Sequence, residues 1–227
     1  MSLFEERVAA VETAIGYQFS EPELLVTALT HSSFAAENNV ESYERLEFLG
    51  DAVIELAVTA TIHDMLPHAP EGRMTRVRAA IVDESTLASA ARLIGLGDAV
   101  RLGVGEDRSG GRARSSILSD VLEAILGAVY LDGGTEGAFT VVSRVLGETV
   151  EDRIAATRVA DDRSTLQERL ARSGKVVSFV YERSGPDHAA VYTATAYVDG
   201  AVVSRGIGGS KKGAAIAAAT EALKAGI

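Results

Sequence analysis

The chain has 227 residues, 47% of them apolar, only four prolines and a formal net charge of −10 at pH 7, a composition that can bury one large or two small cores and is not that of a disordered chain. It contains no cysteine, which excludes disulfides, thiolate metal sites and a cysteine nucleophile together. No apolar run approaches the roughly 18 residues of a membrane span, and the start, Met1-Ser-Leu-Phe-Glu-Glu-Arg7, is acidic where a secretory leader is basic and then apolar, so a cytoplasmic protein is expected.

In chain order, residues 4–152 read as helix after helix, with segments near 4–14, 21–29, 42–66, 73–94, 115–131 and 135–153. The series is broken at His68-Ala-Pro70-Glu-Gly72 and at 103–114, a Gly/Arg/Ser stretch without periodicity that is expected as a surface loop. The third segment carries the strongest chemical signal. At about 100° per residue, Glu44, Glu47 and Asp51 share a sector of about 60°, while Leu46, Leu49, Val53, Leu56 and Ala57 fill the opposite half of the wheel. No Lys or Arg stands four residues on from any of these acids, so the pairing that makes an acidic face harmless is missing. Spacing alone leaves two readings open, a solvated face and a site for a hard cation.

A second acidic pair, Asp120 and Glu123, lies on the apolar segment Ser115-Ser-Ile-Leu-Ser-Asp-Val-Leu-Glu-Ala-Ile-Leu-Gly127. Carboxylates on a largely buried helix are costly unless partnered. A helix N-terminus would excuse Asp120 but not Glu123, a turn further in. The four histidines, at 31, 63, 68 and 188, are too scattered to suggest zinc.

After about residue 155 the pattern changes. Residues 154–162 carry weak signals and are expected as a linker, followed by a helix over 164–172 that Ser173-Gly174 stops. Strands are expected at 176–183, 189–198 and 201–207, separated by Gly185-Pro-Asp187 and Asp199-Gly200. Ser210 is placed to cap a final Ala-rich helix running to about Lys224. The charge divides with the pattern: 155–227 holds ten Lys or Arg and seven Asp or Glu, leaving twelve of the 22 bases and 25 of the 32 acids in 1–154. An acidic body with a mildly basic C-terminal part suits a division of labour between metal and polyanion.

Glu44-Arg-Leu-Glu-Phe-Leu-Gly-Asp51 resembles the signature of the ribonuclease III family, and Asp120 with Glu123 matches that family's second acidic motif. The α-β-β-β-α order of the C-terminal part resembles the double-stranded RNA-binding domain, carried by Thr165-Leu-Gln-Glu168, Gly185-Pro-Asp-His188 and Gly206-Ile-Gly-Gly-Ser-Lys-Lys212. The resemblance implies an α+β chain: an all-α ribonuclease III endonuclease domain over 1–154, then a double-stranded RNA-binding domain over 161–227. It implies a bacterial Mg²⁺-dependent enzyme, with Mn²⁺ able to substitute, and neither a small-molecule cofactor nor a membrane partner. Such an enzyme hydrolyses double-stranded RNA to 5′-phosphate and 3′-hydroxyl ends and processes ribosomal, messenger and transfer RNA precursors.

By the same resemblance Glu47, Asp51, Asp120 and Glu123 are the metal ligands, Asp51 and Glu123 the catalytic residues, and Glu44 and Glu71 assist. Phe48 would pack into the partner of a twofold homodimer, whose two active sites cut both strands with short 3′ overhangs. Gln167, Glu168 and His188 would bond 2′-hydroxyls, and Lys211 and Lys212, at a helix start, would meet phosphate. The chain departs from the family pattern at Ser32, commonly Arg, at Gly213 inside the last helix, and at Lys175-Val-Val, where a proline often precedes the first strand. The rival reading is a catalytically silent binder of duplex RNA, which would be expected to have lost one of the four carboxylates. A metal-bearing helical scaffold without an RNA role is disfavoured by the C-terminal domain.

Overall fold

Caps and breakers in the sequence decide where each helix begins and ends. The computed structural model describes residues 2–186 and 189–227, with backbone alone for 157–161. Its helices are α1 (Leu3–Ile15), α2 (Pro22–Ala28), α3 (Ser32–Asn38), α4 (Glu44–Met65), α5 (Glu71–Ile81), α6 (Glu84–Leu93), α7 (Leu96–Ala99), α8 (Val104–Arg108) and α9 (Ser115–Arg172). Strands β1 (Val177–Ser184), β2 (Val191–Val198) and β3 (Ala201–Gly208) follow, then α10 (Lys211–Lys224). The architecture is α+β, a helical body preceding a three-stranded sheet and its helix. Contacts divide the chain into two compact units, Met1–Arg153 and Ile154–Ile227. Among the described residues no helix is long and apolar enough to cross a membrane.

Ser2 and Glu5 open α1 with reciprocal side-chain to backbone bonds of 3.2 and 2.6 Å, a capping box that satisfies two of the orphan amides. Pro22 starts α2 at a position where its missing N–H is no loss. The single helix expected over 73–94 is two. The Asp83 carboxylate accepts from the backbone of Ser85 at 2.9 Å and Thr86 at 3.2 Å, so α6 begins afresh from its own N-cap.

The expected loop at 103–114 contains α8 and a 3-10 turn at Gly111–Ala113. It is held by the Arg112 guanidinium, which donates to the carbonyls of Gly97 and Val100 at 3.1 and 2.8 Å and pairs with Asp107 at 2.7 Å. The linker expected over 154–162 is helical backbone. Nothing from Ile154 to Arg172 is Gly or Pro, and Ala, Arg, Leu, Gln and Glu all favour helix. The break in α9 lies earlier, at Gly134, whose φ of 63° and ψ of −162° are non-helical. Only glycine adopts that combination readily.

In the first unit, Val53, Ile54, Ala57, Val58 and Ile62 of α4 are buried, as are Leu118, Val121, Leu122, Ile125 and Leu126 of α9. The two helices touch backbone to backbone. A Cβ on Gly50 would lie 1.8 Å from the Glu123 carbonyl oxygen, and one on Gly127 would lie 2.2 Å from that of Leu46. A mid-helix glycine costs about 1 kcal/mol relative to alanine, and here the close approach is what it permits.

In the second unit the sheet is antiparallel in the order β1-β2-β3, with Val177 opposite Val198 and Ala194 opposite Gly206. Its core joins Leu166 and Leu170 to Val177, Ala194, Ala196 and Val198 and to the inward alanines of α10, Ala214, Ala215, Ala218, Ala219 and Ala222. Small side chains let that helix lie close on the sheet.

Gly50→Ala is therefore expected to destabilise the protein by about 3 kcal/mol, the upper part of the range for overpacking. That is roughly 10 °C in Tm for a chain of this size, measurable by calorimetry. A Tm unchanged within error would refute the backbone contact.

Candidate active site

The Gly50–Gly127 contact fixes where the acids stand. Glu47 and Asp51 lie within one turn of Gly50 on α4, and Asp120 and Glu123 occupy the second and third turns of α9, with the Glu123 carbonyl itself at the contact. Two acidic pairs separated by about 70 residues in sequence thus share one electrostatic field. Burial, and then the charges of Asp51, Asp120 and Glu47, push the Glu123 carboxyl up from 4.5 to about 7. Glu47 is raised by burial and by Asp120, Glu44 and Asp51. Asp120 is raised chiefly by burial, with Glu84 acting in the same sense and Tyr43, Ser119 and His31 opposing. Like charges gathered on partly buried carbon frameworks favour protonation or a cation.

The donor set is oxygen only, which suits Mg²⁺, Mn²⁺ or Ca²⁺. Among the described residues, no group of three or more His, Cys, Asp or Glu side chains is already arranged to hold a metal ion. The fit therefore rests on donor chemistry and on mutual repulsion that a divalent ion relieves.

The residues read from the sequence do not all gather here. Glu44 is exposed, takes a 2.9 Å bond from Ser42 and contributes charge to Glu47. Glu71 opens α5, accepts from the Thr75 hydroxyl at 2.6 Å and lines a cavity of about 220 Å³ with Thr59, Ile62 and His63. Thr59 and Ile62 lie at least two turns beyond Asp51 along α4, a rise of roughly 12 Å or more, so within one chain Glu71 stands apart from the four acids. Phe48 is 84% exposed beside a cavity of about 850 Å³ whose walls include Leu24, Leu46, Leu49 and Leu131.

In the second unit Gln167 and Glu168 are exposed on the last turns of α9, and Lys211 and Lys212 are exposed in the first turn of α10. Ser210 caps that helix by accepting from the Gly213 N–H at 3.1 Å, so the unexpected glycine sits in the capped turn and not in the helix interior. His188, with Asp187, lies outside the described residues.

Sequence reasoning missed Tyr43 and His31. Tyr43 is 3% exposed; its hydroxyl donates to Asp120 Oδ2 at 3.3 Å and its ring meets the His31 ring edge-on, centroids 5.6 Å apart. Burial, then Asp120, Glu47 and Glu44, hold its phenol well above the ordinary value, so it is a donor. His31 Nδ1 accepts from the Ser33 N–H at 3.1 Å and caps α3. Gly50 and Gly127 carried a usable signal, glycine inside apolar helices beside acids; Tyr43 and His31 carried none, because their meeting is tertiary.

The family model described as Ribonuclease-III-like matches residues 21–149, and the double-stranded RNA binding motif matches residues 163–225. The chain is 41% identical to a protein named Ribonuclease 3 from Desulforamulus reducens, across 99% of this chain and 93% of that one. It is 43% identical to Ribonuclease 3 from Streptococcus thermophilus, across 94% and 95%. Among solved structures, the nuclease domain of ribonuclease III from Campylobacter jejuni is 39% identical with a TM-score of 0.60, covering 63% of this chain and 96% of that one. A second structure of that domain, 40% identical with a TM-score of 0.59 over 62% of this chain and 96% of its own, concerns flexibility in a region involved in dimer formation.

The raised Glu123 carboxyl makes stability depend on pH. Between about pH 4.5 and 7 the folded, metal-free protein holds a proton there that the unfolded chain has released, so stability falls as pH rises through that window. Glutamine cannot ionise. Glu123→Gln in EDTA is expected to match the wild type in Tm near pH 4.5 and to exceed it by a few degrees at pH 8, the effect being moderated by solvent screening of a partly exposed group. A gap that does not widen with pH rules out the raised Glu123 carboxyl.

Proposed function

The chain belongs to the ribonuclease III family, and from that premise we propose that Glu47, Asp51, Asp120 and Glu123 form its Mg²⁺-binding active site. The protein is a double-stranded-RNA-specific endoribonuclease. The observation that carries the site assignment is the shared field of four acids drawn from two helices that touch at Gly50 and Gly127. Bound there, Mg²⁺, or Mn²⁺ in its place, would supply Lewis acidity to the scissile phosphate and to an attacking water.

The protein's own part is to gather and orient oxygen donors. Asp51 on α4 and Glu123 on α9 would serve the reaction from the two helices, with Glu47 and Asp120 completing the donor set. A polyanion nears these acids only with cations between them, so ion and substrate bind together. Hydrolysis then leaves 5′-phosphate and 3′-hydroxyl ends, without a nucleophilic side chain. Glu44 lies at the margin of the same field. Glu71, which lines the cavity farther along α4, is the remaining acid of the family pattern.

Phe48, with its exposed ring beside a cavity walled in part by leucines, supports a twofold homodimer in which the ring of one protomer enters its partner, an isologous arrangement. Two sites would then cut both strands of one duplex. In the second unit, A-form RNA is read by groove spacing, 2′-hydroxyls and phosphates. Lys211 and Lys212, beside the exposed amides of the α10 N-terminus, are placed for phosphate. Gln167, Glu168 and His188 are the candidates for 2′-hydroxyls. Ribosomal and other structured RNA precursors in the cytoplasm are the substrates this reading implies.

Incubating a labelled RNA hairpin with the protein in Mg²⁺, in Ca²⁺, and as Glu123→Ala tests it. Cleavage is expected only for the wild type in Mg²⁺, and Glu123→Ala should slow it by about a hundredfold or more, the scale of losing one group that stabilises a transition state. Binding without cleavage under every condition would instead mark a silent RNA binder. Separately, Phe48→Glu is expected to shift the sedimenting species from dimer to monomer at micromolar concentration; a dimer that persists removes Phe48 from the interface.

A further inference from the structure

One buried side chain beside the four acids has no part in the scheme above. Tyr43 precedes α4 and is anchored on every side. Its N–H donates to the Thr30 carbonyl at 2.8 Å, and its own carbonyl accepts from Leu46 at 2.8 Å and from Glu47 at 2.9 Å. Its ring rests against His31. His31 is held in turn by Ser33, whose hydroxyl lies 2.8 Å from Nδ1 and accepts from the Gly103 N–H at 2.9 Å. A side chain so fixed has few rotamers left, and its hydroxyl reaches Asp120 Oδ2 at 3.3 Å.

We infer that Tyr43 is a positioning residue of the active site: its hydroxyl holds Asp120 Oδ2 and so fixes the orientation in which the carboxylate would meet the cation. Ser119 Oγ lies 3.4 Å from Oδ1 and 2.9 Å from the Ser116 carbonyl, the shorter of its two contacts, whereas the Tyr43 hydroxyl reaches Asp120 from the segment that opens α4. At 3.3 Å the bond is longer than the usual O–H···O range of about 2.5–3.0 Å, so its contribution is direction more than strength. An oxygen bound by a donor outside the ligand set turns its partner toward the ion and tunes that partner's affinity. The same residue, through its carbonyl and its hydroxyl, joins the backbone of Glu47 on α4 to the side chain of Asp120 on α9.

This inference rests on the metal site proposed above, and Tyr43→Phe separates the two. Phenylalanine keeps the ring, the burial and the His31 contact and deletes only the hydroxyl. Titrating the full-length protein with Mn²⁺ should show a dissociation constant raised about tenfold, the lower end for loss of an outer-shell partner. The Mg²⁺ concentration for half-maximal cleavage should rise in parallel, with the rate at saturating Mg²⁺ within about twofold of wild type. The metal-free Tm should stay within about 2 °C. Unchanged Mn²⁺ affinity, a rate that saturating Mg²⁺ does not restore, or a clear fall in metal-free Tm each overturns the positioning role. Wild-type protein that binds no Mn²⁺ overturns the metal site itself, and this inference with it.

Discussion

Everything in the nuclease half depends on two helices coming closer than side chains ordinarily allow. Where α4 crosses α9, Gly50 lies on the Glu123 carbonyl and Gly127 on that of Leu46. Helix axes are commonly 8–10 Å apart because side chains occupy the space between them; removing both Cβ atoms brings the backbones into contact. Acids one turn away on either helix are thereby forced into a common field, and their repulsion becomes a property of the packing. Apolar residues of both helices, Ile54, Ala57 and Val58 on α4 and Val121, Leu122 and Ile125 on α9, are all inaccessible to solvent. Hydrophobic burial supplies the force that gathers like charges.

The division of charge along the chain is consistent with that constraint. An acidic body suits a site built for cations, and the mildly basic residues of 155–227 include the lysine pair at the start of α10. The two tasks, chemistry on a phosphate and attachment to a polyanion, use opposite signs and are carried by separate compact units. The family assignment and the electrostatics therefore point the same way from independent grounds.

Much of this was legible in the sequence because its signals were local. The acids of α4 and α9 lie on long periodic helices, Ser210 caps α10 as its position suggests, and Asp199-Gly200 turns β2 into β3. Three short helices were not legible: α3, α7 and α8 span two turns or fewer, too few for periodicity to register. The stop at Asp83 was overlooked because apolar residues continue on both sides of it. The segment over 154–162, expected as a linker, begins where the second compact unit does and is helical backbone. Tyr43 and Glu71 are harder to place, for a deeper reason. What they touch, Asp120 in one case and the far end of α4 in the other, is decided by tertiary pairing, which no window of sequence contains.

The elevated Glu123 carboxyl has a meaning for the molecule's life outside the reaction. A fold that stores repulsion among neighbouring carboxylates is tightened by any divalent ion that prefers the folded form, because binding to one state alone draws the population toward it. With a divalent ion bound at the proposed site, ion supply would bear on the protein's stability as well as on its turnover.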